Sequence, residues 1–286
     1  MGNLLHPVRV AAISFLNPAP LMWDLEHPPL STELAERYQL HYTLPALCAD
    51  ELLSGRADLG LIPIASLTPE LAIVPGCTIA SLDRVRSIQL IVRAPHTLET
   101  VRTVAADNAS RSSRAYVEIL FRKFLGAQPE FRTSPADPVA MLQQADAALL
   151  IGDPALLALE HRAAIEEKVG PCQWYDIAHE WTTRTGLPWV AAVWAIRPTA
   201  LTESHVSAAT ITGDLIGSRD HGLAHIEDLV EEWAPRLGLS AATVHDYLSV
   251  NIHYTLSQPC VDAIRLFRAY AAESGVLPPL PDLRFL

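Results

Sequence analysis

Short apolar runs alternate with amphipathic segments along most of the chain. Apolar runs too short to be complete helices predict buried strands, at 8–13, 40–44, 57–62, 73–82, 87–92, 101–106, 146–151 and 189–196. A further strand is predicted at 130–133. Helical spacing predicts helices at 33–38, 45–53, 138–144 and 175–181, and a further helix that follows Ser113. Strands that alternate with helices in this way indicate an α/β fold with a largely parallel sheet.

The pattern divides the chain into two α/β units and a helical tail. From Thr199 onward it is almost wholly helical, with apolar stripes at 222–237, 240–248 and 257–272. We predict three parts: a first lobe at 1–96, a second lobe at 97–195, and a helical segment at 196–286 that packs on the first lobe. Two lobes joined in this way leave a cleft between them, and such interfaces are favoured sites for ligands.

A cluster of hydroxyls and arginines lies where the strand at 101–106 gives way to a helix. Ser110, Arg111, Ser112 and Ser113 occupy this junction. The first backbone N–H groups of a helix lack internal partners, and the helix dipole adds positive character there, so the junction suits a carboxylate or phosphate. Serine is also a common helix cap, which explains one hydroxyl without any ligand. Both interpretations stand at this point, although a single cap does not need three serines.

Other candidate residues follow the ends of predicted strands, where open α/β sheets bind their ligands. Asn17 follows the first strand and Ser66 lies just beyond the strand at 57–62, while Ser87 begins a strand. Gly152 would let a ligand approach the backbone closely. Asp153 is placed either to cap a helix or to line the cleft. In the two-lobed arrangement Asn17, Ser66 and Ser87 face a second set across the cleft, which consists of Ser110–Ser113, Gly152 and Asp153.

Four tryptophans, Trp174, Trp181, Trp189 and Trp194, lie close together in the sequence. Packing in the core is the default explanation for such residues. Trp189, however, follows a loop and could line a cleft.

The composition narrows the class of ligand. Of 286 residues, 50% are hydrophobic, which is enough for a substantial core, and the formal net charge is -11. This charge argues against nucleic-acid binding, which usually needs a basic face. An anionic small molecule would therefore have to be held by local groups. No apolar run is long enough to cross a membrane, and no secretion signal is evident, so we expect a cytoplasmic protein.

The sequence lacks the usual motifs of cofactor and metal sites. The four cysteines are scattered without a zinc-like spacing, the histidines are dispersed, and there is no GxGxxG, Walker loop, GxSxG or HExxH. A zinc site is therefore poorly supported, and nucleotide binding lacks its usual motifs. Hydroxyls, amides and an arginine suit the binding of an organic anion better than proton abstraction.

Several motifs, occurring in order, resemble one known family. They are the Ile-Ser-Phe-Leu-Asn at 13–17, the segment 52–63, the Ser-Arg-Ser-Ser at 110–113, the Ile-Gly-Asp-Pro-Ala at 151–155, and the pair 175–181 and 185–188. Together they resemble the chorismate dehydratases of the futalosine route to menaquinone. The chain departs from that family at Pro18 and Ser112, where threonine is more common.

The resemblance implies a type II periplasmic-binding-protein-like fold and the dehydration of chorismate to 3-[(1-carboxyvinyl)oxy]benzoate. It implies no cofactor, because the substrate's own enolpyruvyl carboxylate is thought to act as the base in this family. We expect Asn17 to orient that carboxylate or the departing hydroxyl, with help from Ser87. The remaining candidates are expected to bind substrate or line the cleft: Ser66, Ser110, Arg111, Ser112, Ser113, Gly152 and Asp153.

Two other functions fit the same expected fold. One is a non-catalytic protein that binds small anions, which the lack of a secretion signal disfavours. The other is a dihydroxynaphthoate synthase-like enzyme of the same pathway. The Ser14-Phe15-Leu16-Asn17 segment favours the dehydratase over this sister enzyme.

Overall fold

The computed structural model describes residues 6–286 and contains two β-sheets flanked by helices. The strands are β1 (Val8–Ala12), β2 (Tyr38–Tyr42), β3 (Leu59–Pro63), β4 (Ala72–Ser81), β5 (Ile88–Arg93), β6 (Thr103–Asp107), β7 (Glu130–Ser134), β8 (Ala147–Ile151), β9 (Cys172–Asp176), β10 (Trp189–Ile196) and β11 (His253–Thr255). The helices are α1 (Ala19–Glu26), α2 (Leu30–Leu34), α3 (Pro45–Leu53), α4 (Ser112–Ile119), α5 (Pro138–Gln144), α6 (Gly152–Glu160), α7 (Arg162–Val169), α8 (Ile177–Thr185), α9 (Ala200–Glu203), α10 (Ala208–Ala224), α11 (Ile226–Leu237), α12 (Ala241–Asp246) and α13 (Gln258–Glu273). These elements confirm the predicted α/β class.

Each sheet forms the centre of one lobe. The first sheet has the order β11-β4-β10-β3-β1-β2, and the second has the order β7-β6-β8-β5-β9. In the first sheet β1 runs parallel to β2 and β3, whereas β10 is antiparallel to β3 and β4. In the second sheet β6 runs parallel to β7 and β8, whereas β5 is antiparallel to β8 and β9. In addition, β11 is antiparallel to β4 at the edge of the first sheet. Both sheets are therefore mixed, which corrects the prediction of a largely parallel sheet.

The chain crosses between the sheets earlier than the predicted boundaries at 96 and 195. β5, expected in the first lobe, pairs with strands of the second sheet, and β10, expected in the second lobe, pairs within the first. Nearly all residues of both strands are buried. Such patterns identify a central strand but do not reveal which sheet it belongs to. The crossings lie between β4 and β5 and between α8 and β10.

The helical segment after β10 packs on the first lobe. α10 lies against α1 so closely that a Cβ atom at Gly222 would come within 2.1 Å of the Pro20 carbonyl oxygen. Beside this contact, the Ser218 hydroxyl donates to the Leu21 carbonyl oxygen at 2.9 Å. β11 extends the first sheet beyond β4. The small side chains of α10 thus allow the tail to reach the backbone of the first lobe.

Two short strands are missing from the sequence-based prediction. The structure contains β9 at the edge of the second sheet and β11 at the edge of the first. The expected helix at 175–181 begins only at Ile177, because Asp176 ends β9 and caps α8 by accepting hydrogen bonds from the Ala178 and His179 N–H groups. Edge strands as short and mixed in polarity as these lack a clear alternating pattern.

A buried ion-pair network ties three strands of the first sheet together away from the cleft. The fully buried Asp58 carboxylate accepts hydrogen bonds from Arg9, at the start of β1, and from Arg197, just after β10. Burial raises the pKa of Asp58, but the hydrogen bonds from Arg9 and Arg197 outweigh this effect and lower it. His6 and Glu203 lie close enough to complete a group of possible metal ligands with Asp58. The two arginines already satisfy the Asp58 carboxylate, so the group is an ion-pair network.

Within residues 6–286, no helix has both the length and the apolar character that are needed to span a membrane.

Candidate active site

A cleft of about 580 Å³, partly open to solvent, lies between the two lobes. Its walls come from the segments that follow β1, β6 and β8, together with residues of β3, β4, β5 and β10. The carboxyl ends of the parallel strands therefore meet there, as expected for open α/β sheets. Six of the predicted site residues line this cleft: Asn17, Ser87, Arg111, Ser112, Ser113 and Gly152.

The loop that carries Asn17 is held by the second lobe. The Leu16 N–H donates to the Asp153 Oδ1 atom at 3.1 Å, and α1 begins two residues after Asn17. Burial raises the pKa of Asp153 to about 6, although the hydrogen bond from Leu16 acts in the opposite direction. Asp153 was expected to line the cleft or cap a helix, but it does neither. Its carboxylate binds the backbone of the loop and holds the loop in place.

Phe15 and Gly152 explain the close approach of the lobes at this point. Gly152 begins α6 with a φ of 62°, and a Cβ atom there would lie 2.9 Å from the Phe15 ring. Its N–H donates to the Ser87 carbonyl oxygen at 2.8 Å. Gly152 therefore lets the Phe15 ring pack on the start of α6, while its backbone fixes the position of Ser87.

The three serines at the start of α4 have different partners. The Ser110 hydroxyl accepts a hydrogen bond from the Arg114 N–H at 3.1 Å, so this serine caps the helix and does not line the cleft. The Ser112 hydroxyl donates to the Ala191 carbonyl oxygen and accepts from the Ala65 N–H, which joins α4 to the first lobe. Ser113 lines the cleft. The capping and binding interpretations thus apply to different residues.

The first turn of α4 lies at the wall of the cleft. Ser112 and Ser113 occupy the first two positions of the helix, whose N–H groups have no carbonyl partner within it. The helix dipole places positive character at the same end. A carboxylate bound there would gain hydrogen bonds without a formally charged side chain.

Arg111 lines the cleft, but its guanidinium group is already paired. Its Nη2 atom lies 2.7 Å from the Asp50 Oδ2 atom, and its Nη1 atom lies 3.4 Å from the Ser66 Oγ atom. Asp50 belongs to α3, so this pair joins the two lobes. Ser66 lies beside the pair and not in the cleft, which corrects the expectation that it lines the site. Its position follows from a short helical turn, Ile64–Ser66, which directs the chain away after β3.

The apolar walls of the cleft were largely missed by the sequence-based prediction. They include Ile13, Phe15, Leu61, Ile79 and Trp189. Most of these residues read as ordinary core positions, because an apolar side chain at a strand end has no distinctive pattern. Trp189 was the exception, since it follows a loop. The site combines flat apolar walls with N–H, hydroxyl and amide groups, a set that suits an organic anion with an unsaturated ring.

The fold is that of the periplasmic binding proteins. The alkanesulfonate-binding protein SsuA from Xanthomonas axonopodis pv. citri, solved bound to MOPS, matches with a TM-score of 0.66 and 16% identity over 96% of this chain and 94% of its own. The Candida albicans CA3427 product, described as having the generic periplasmic binding protein fold, matches with a TM-score of 0.65 and 11% identity over 99% of this chain and 98% of its own. The two-lobed architecture predicted from the sequence is thereby confirmed.

The sequence comparisons identify the family. The family model described as menaquinone biosynthesis matches residues 8–273, so the chain belongs to that family. Among characterised relatives, the chorismate dehydratase of Thermus thermophilus is 29% identical over 259 residues, which cover 84% of this chain and 88% of that protein.

Proposed function

We propose that the protein is a chorismate dehydratase that converts chorismate to 3-[(1-carboxyvinyl)oxy]benzoate and water. The observation that carries the proposal is the cleft, in which Asn17 and Ser87 face the first turn of α4. The family match and the dehydratase relative support the same activity. The reaction would belong to the futalosine route to menaquinone.

Chorismate carries two carboxylates on an unsaturated ring, and the cleft offers a complement to each part. The N–H groups of Ser112 and Ser113 would bind one carboxylate, as helix N-termini bind anions generally. Asn17 would orient the enolpyruvyl carboxylate or the departing hydroxyl, with Ser87 beside it. The ring would lie between apolar walls that include Phe15 and Leu61.

The elimination balances without an added cofactor. The C3 proton is acidified through the ring alkene and its conjugated carboxylate, and the enolpyruvyl carboxylate of the substrate removes it. The electron pair of the C3–H bond forms the new ring double bond as the C4–O bond breaks. The hydroxide leaves with a proton as water, and the ring becomes aromatic. Because aromatisation drives the reaction, the enzyme's main contribution would be to hold the substrate in one reactive conformation.

Asp153 is a buried carboxylate next to Gly152 of the cleft wall, but it does not serve as the base in the proposal. Its oxygen is bonded to the Leu16 N–H behind the loop. Its role is to hold the loop so that Asn17 points consistently at the substrate.

The proposal is tested by incubating the purified protein with chorismate alone and following the aromatic enol ether by NMR. We expect stoichiometric conversion, and we expect Asn17→Ala to lower turnover at least 100-fold with an unchanged melting temperature. Asn108→Ala is the matched control, because Asn108 is exposed and lies outside the cleft. Near-normal turnover by Asn17→Ala would disprove the role of this amide.

Other outcomes identify the alternative functions. Tight binding of chorismate without product would support a non-catalytic anion-binding protein. If the protein neither converts nor binds chorismate but acts on a later intermediate of the pathway, it is a dihydroxynaphthoate synthase-like enzyme.

The proposal also includes a cytoplasmic location, which the four free cysteines suit. Cell fractionation would test it.

A further inference from the structure

Trp189 occupies an unusual position for a buried tryptophan. It is the first residue of β10, it is only 1% exposed, and its side chain forms part of the cleft wall. It also packs against Tyr116, with the ring centroids 5.6 Å apart. Tyr116 in turn donates its hydroxyl to the Val190 carbonyl oxygen at 3.0 Å. The indole is therefore held in place between the cleft and a firmly packed aromatic neighbour.

The indole N–H of Trp189 has no acceptor among residues 6–286. Buried donors are almost always hydrogen-bonded in folded proteins, since an unpaired one has lost its bond to water without replacement. An unpaired donor on a residue of the cleft wall therefore points to an acceptor that a ligand supplies.

Comparison with Ser81 and Trp194 shows when a missing hydrogen-bond partner indicates a ligand. Ser81 lies opposite Trp189 on β4, and its hydroxyl is also buried and unpaired, so the two side chains are not bonded to each other. Trp194, on the same strand, has an unpaired indole N–H as well, but it does not line the cleft. The lack of a partner alone is thus no sign of a ligand. Among the buried, unpaired side-chain groups of residues 6–286, only Trp189 also has a place in the cleft.

We propose that the Trp189 indole N–H binds an oxygen of the substrate, an inference that rests on the proposed function. An indole N–H is a donor only, so its partner must be an oxygen lone pair of a carboxylate, the ether or the hydroxyl. A neutral donor is useful here because the cleft's arginine, Arg111, is already paired with Asp50. A hydrogen bond from Trp189 to the substrate would leave the Arg111–Asp50 ion pair intact.

The kinetic test compares two tryptophans on one strand. For Trp189→Phe we expect kcat/KM to fall by about 10- to 100-fold, the range for loss of one hydrogen bond to a charged acceptor. Trp194→Phe removes the same N–H from an equally buried indole outside the cleft, and we expect kcat/KM within twofold of the wild type. Melting temperatures of both variants separate loss of folding from loss of binding.

A second replacement removes the N–H without creating a cavity. β-(3-Benzothienyl)alanine at position 189 keeps the shape of the indole and replaces the N–H by sulfur. We expect this variant to reproduce the kinetic defect of Trp189→Phe. If it retains wild-type kinetics while Trp189→Phe is impaired, shape alone explains the defect and the proposal is overturned.

NMR spectra of protein with ¹⁵N-labelled indoles provide a direct readout. Titration with the product, 3-[(1-carboxyvinyl)oxy]benzoate, should move the Trp189 N–H resonance downfield and leave that of Trp194 in place. If the Trp189 resonance responds to Ser81→Ala and not to product, the indole serves Ser81 and the proposal fails. A wild-type protein that neither converts chorismate nor binds its product would instead refute the proposed function.

Discussion

At the scale of single residues, Asp153 shows how a buried carboxylate can serve a site without entering it. Its side chain is 8% exposed and accepts one hydrogen bond, from the Leu16 N–H of the Asn17 loop. Burial raises the pKa of Asp153 to about 6, so at neutral pH the ionised group is held in an unfavourable setting. The loop thus gains a fixed anchor at a cost in stability.

We predict that Asp153→Asn makes the protein more stable at pH 7 but not at pH 4. Because the folded pKa lies above the unfolded value, wild-type stability decreases as pH rises from about 4 to about 6. The shift of about two pKa units corresponds to roughly 3 kcal/mol at most. The asparagine oxygen can still accept from Leu16 without this pH dependence. Urea denaturation at both pH values measures the effect.

The control for this prediction is Asp246→Asn, since Asp246 is largely exposed. The effect of Asp246→Asn on stability should be small at both pH values, because substitutions at exposed positions change stability little. A pH-independent difference for Asp153→Asn would show that Asp153 is ionised without penalty in the folded protein.

At the scale of elements, α4 is the unit that joins site and scaffold. Its first turn faces the cleft, the Ser112 hydroxyl bonds to both Ala65 and Ala191, and Arg111 pairs with Asp50 across the lobes. The side chains of Arg111 and Asp50 are 36% and 46% exposed, so their ion pair contributes little to stability. It is therefore weak enough for a bound carboxylate to replace.

We predict that Asp50→Asn tightens binding of the product by about 2- to 5-fold, because Arg111 is released from a pair worth up to about 1 kcal/mol. Arg111→Met should weaken binding. Isothermal titration calorimetry at low salt measures both. Glu130→Gln, which disrupts an exposed pair with Arg132 away from the cleft, is the control and should change nothing. Weaker binding by Asp50→Asn would mean that the pair holds the lobes in a binding-competent arrangement.

The elements also show where sequence patterns stop being informative. The helix at 45–53 matches α3, and the strand predicted at 146–151 contains β8, because capping prolines and apolar runs are local signals. The assignment of β5 and β10 to sheets depended on partners far away in the chain, which no local pattern encodes. In the site, Asn17 and Ser87 line the cleft as expected. Ser66 and Asp153 do not. The backbone conformation of a single loop residue decides whether a side chain faces the cleft, and the sequence pattern does not reveal it.

At the scale of the whole molecule, an ion-pair network holds one end of the central strands of the first sheet, and the lobe contacts lie at the other end. Asp58 links the amino end of β3 to Arg9 and Arg197, and the cleft lies beyond the opposite ends of the parallel strands. The ion-pair network and the site are therefore separate. Damage to the network should change stability and leave the chemistry intact.

We predict that Asp58→Asn destabilises the protein by about 3–5 kcal/mol at pH 7, because it leaves two arginines without their buried partner. The folded pKa of Asp58 is lowered, so its contribution is present above the unfolded value near 4 and is lost as pH falls through the folded pKa. The difference between variant and wild type should shrink in acid. Denaturation curves at pH 7 and pH 3 test this, and turnover per folded molecule should be unchanged.

The position of β10 has a consequence for how the chain acquires its fold. This strand lies between β3 and β4, although more than a hundred residues separate it from either one along the sequence. During synthesis, the first sheet therefore cannot close until almost the whole of the second lobe has left the ribosome. The amino-terminal third would wait as an unfinished sheet with exposed edges, the state in which chains are most prone to aggregate. Contacts of such long range also make folding slow. A chain arrested before β10 should thus need chaperones, and the release of β10 should reduce that need.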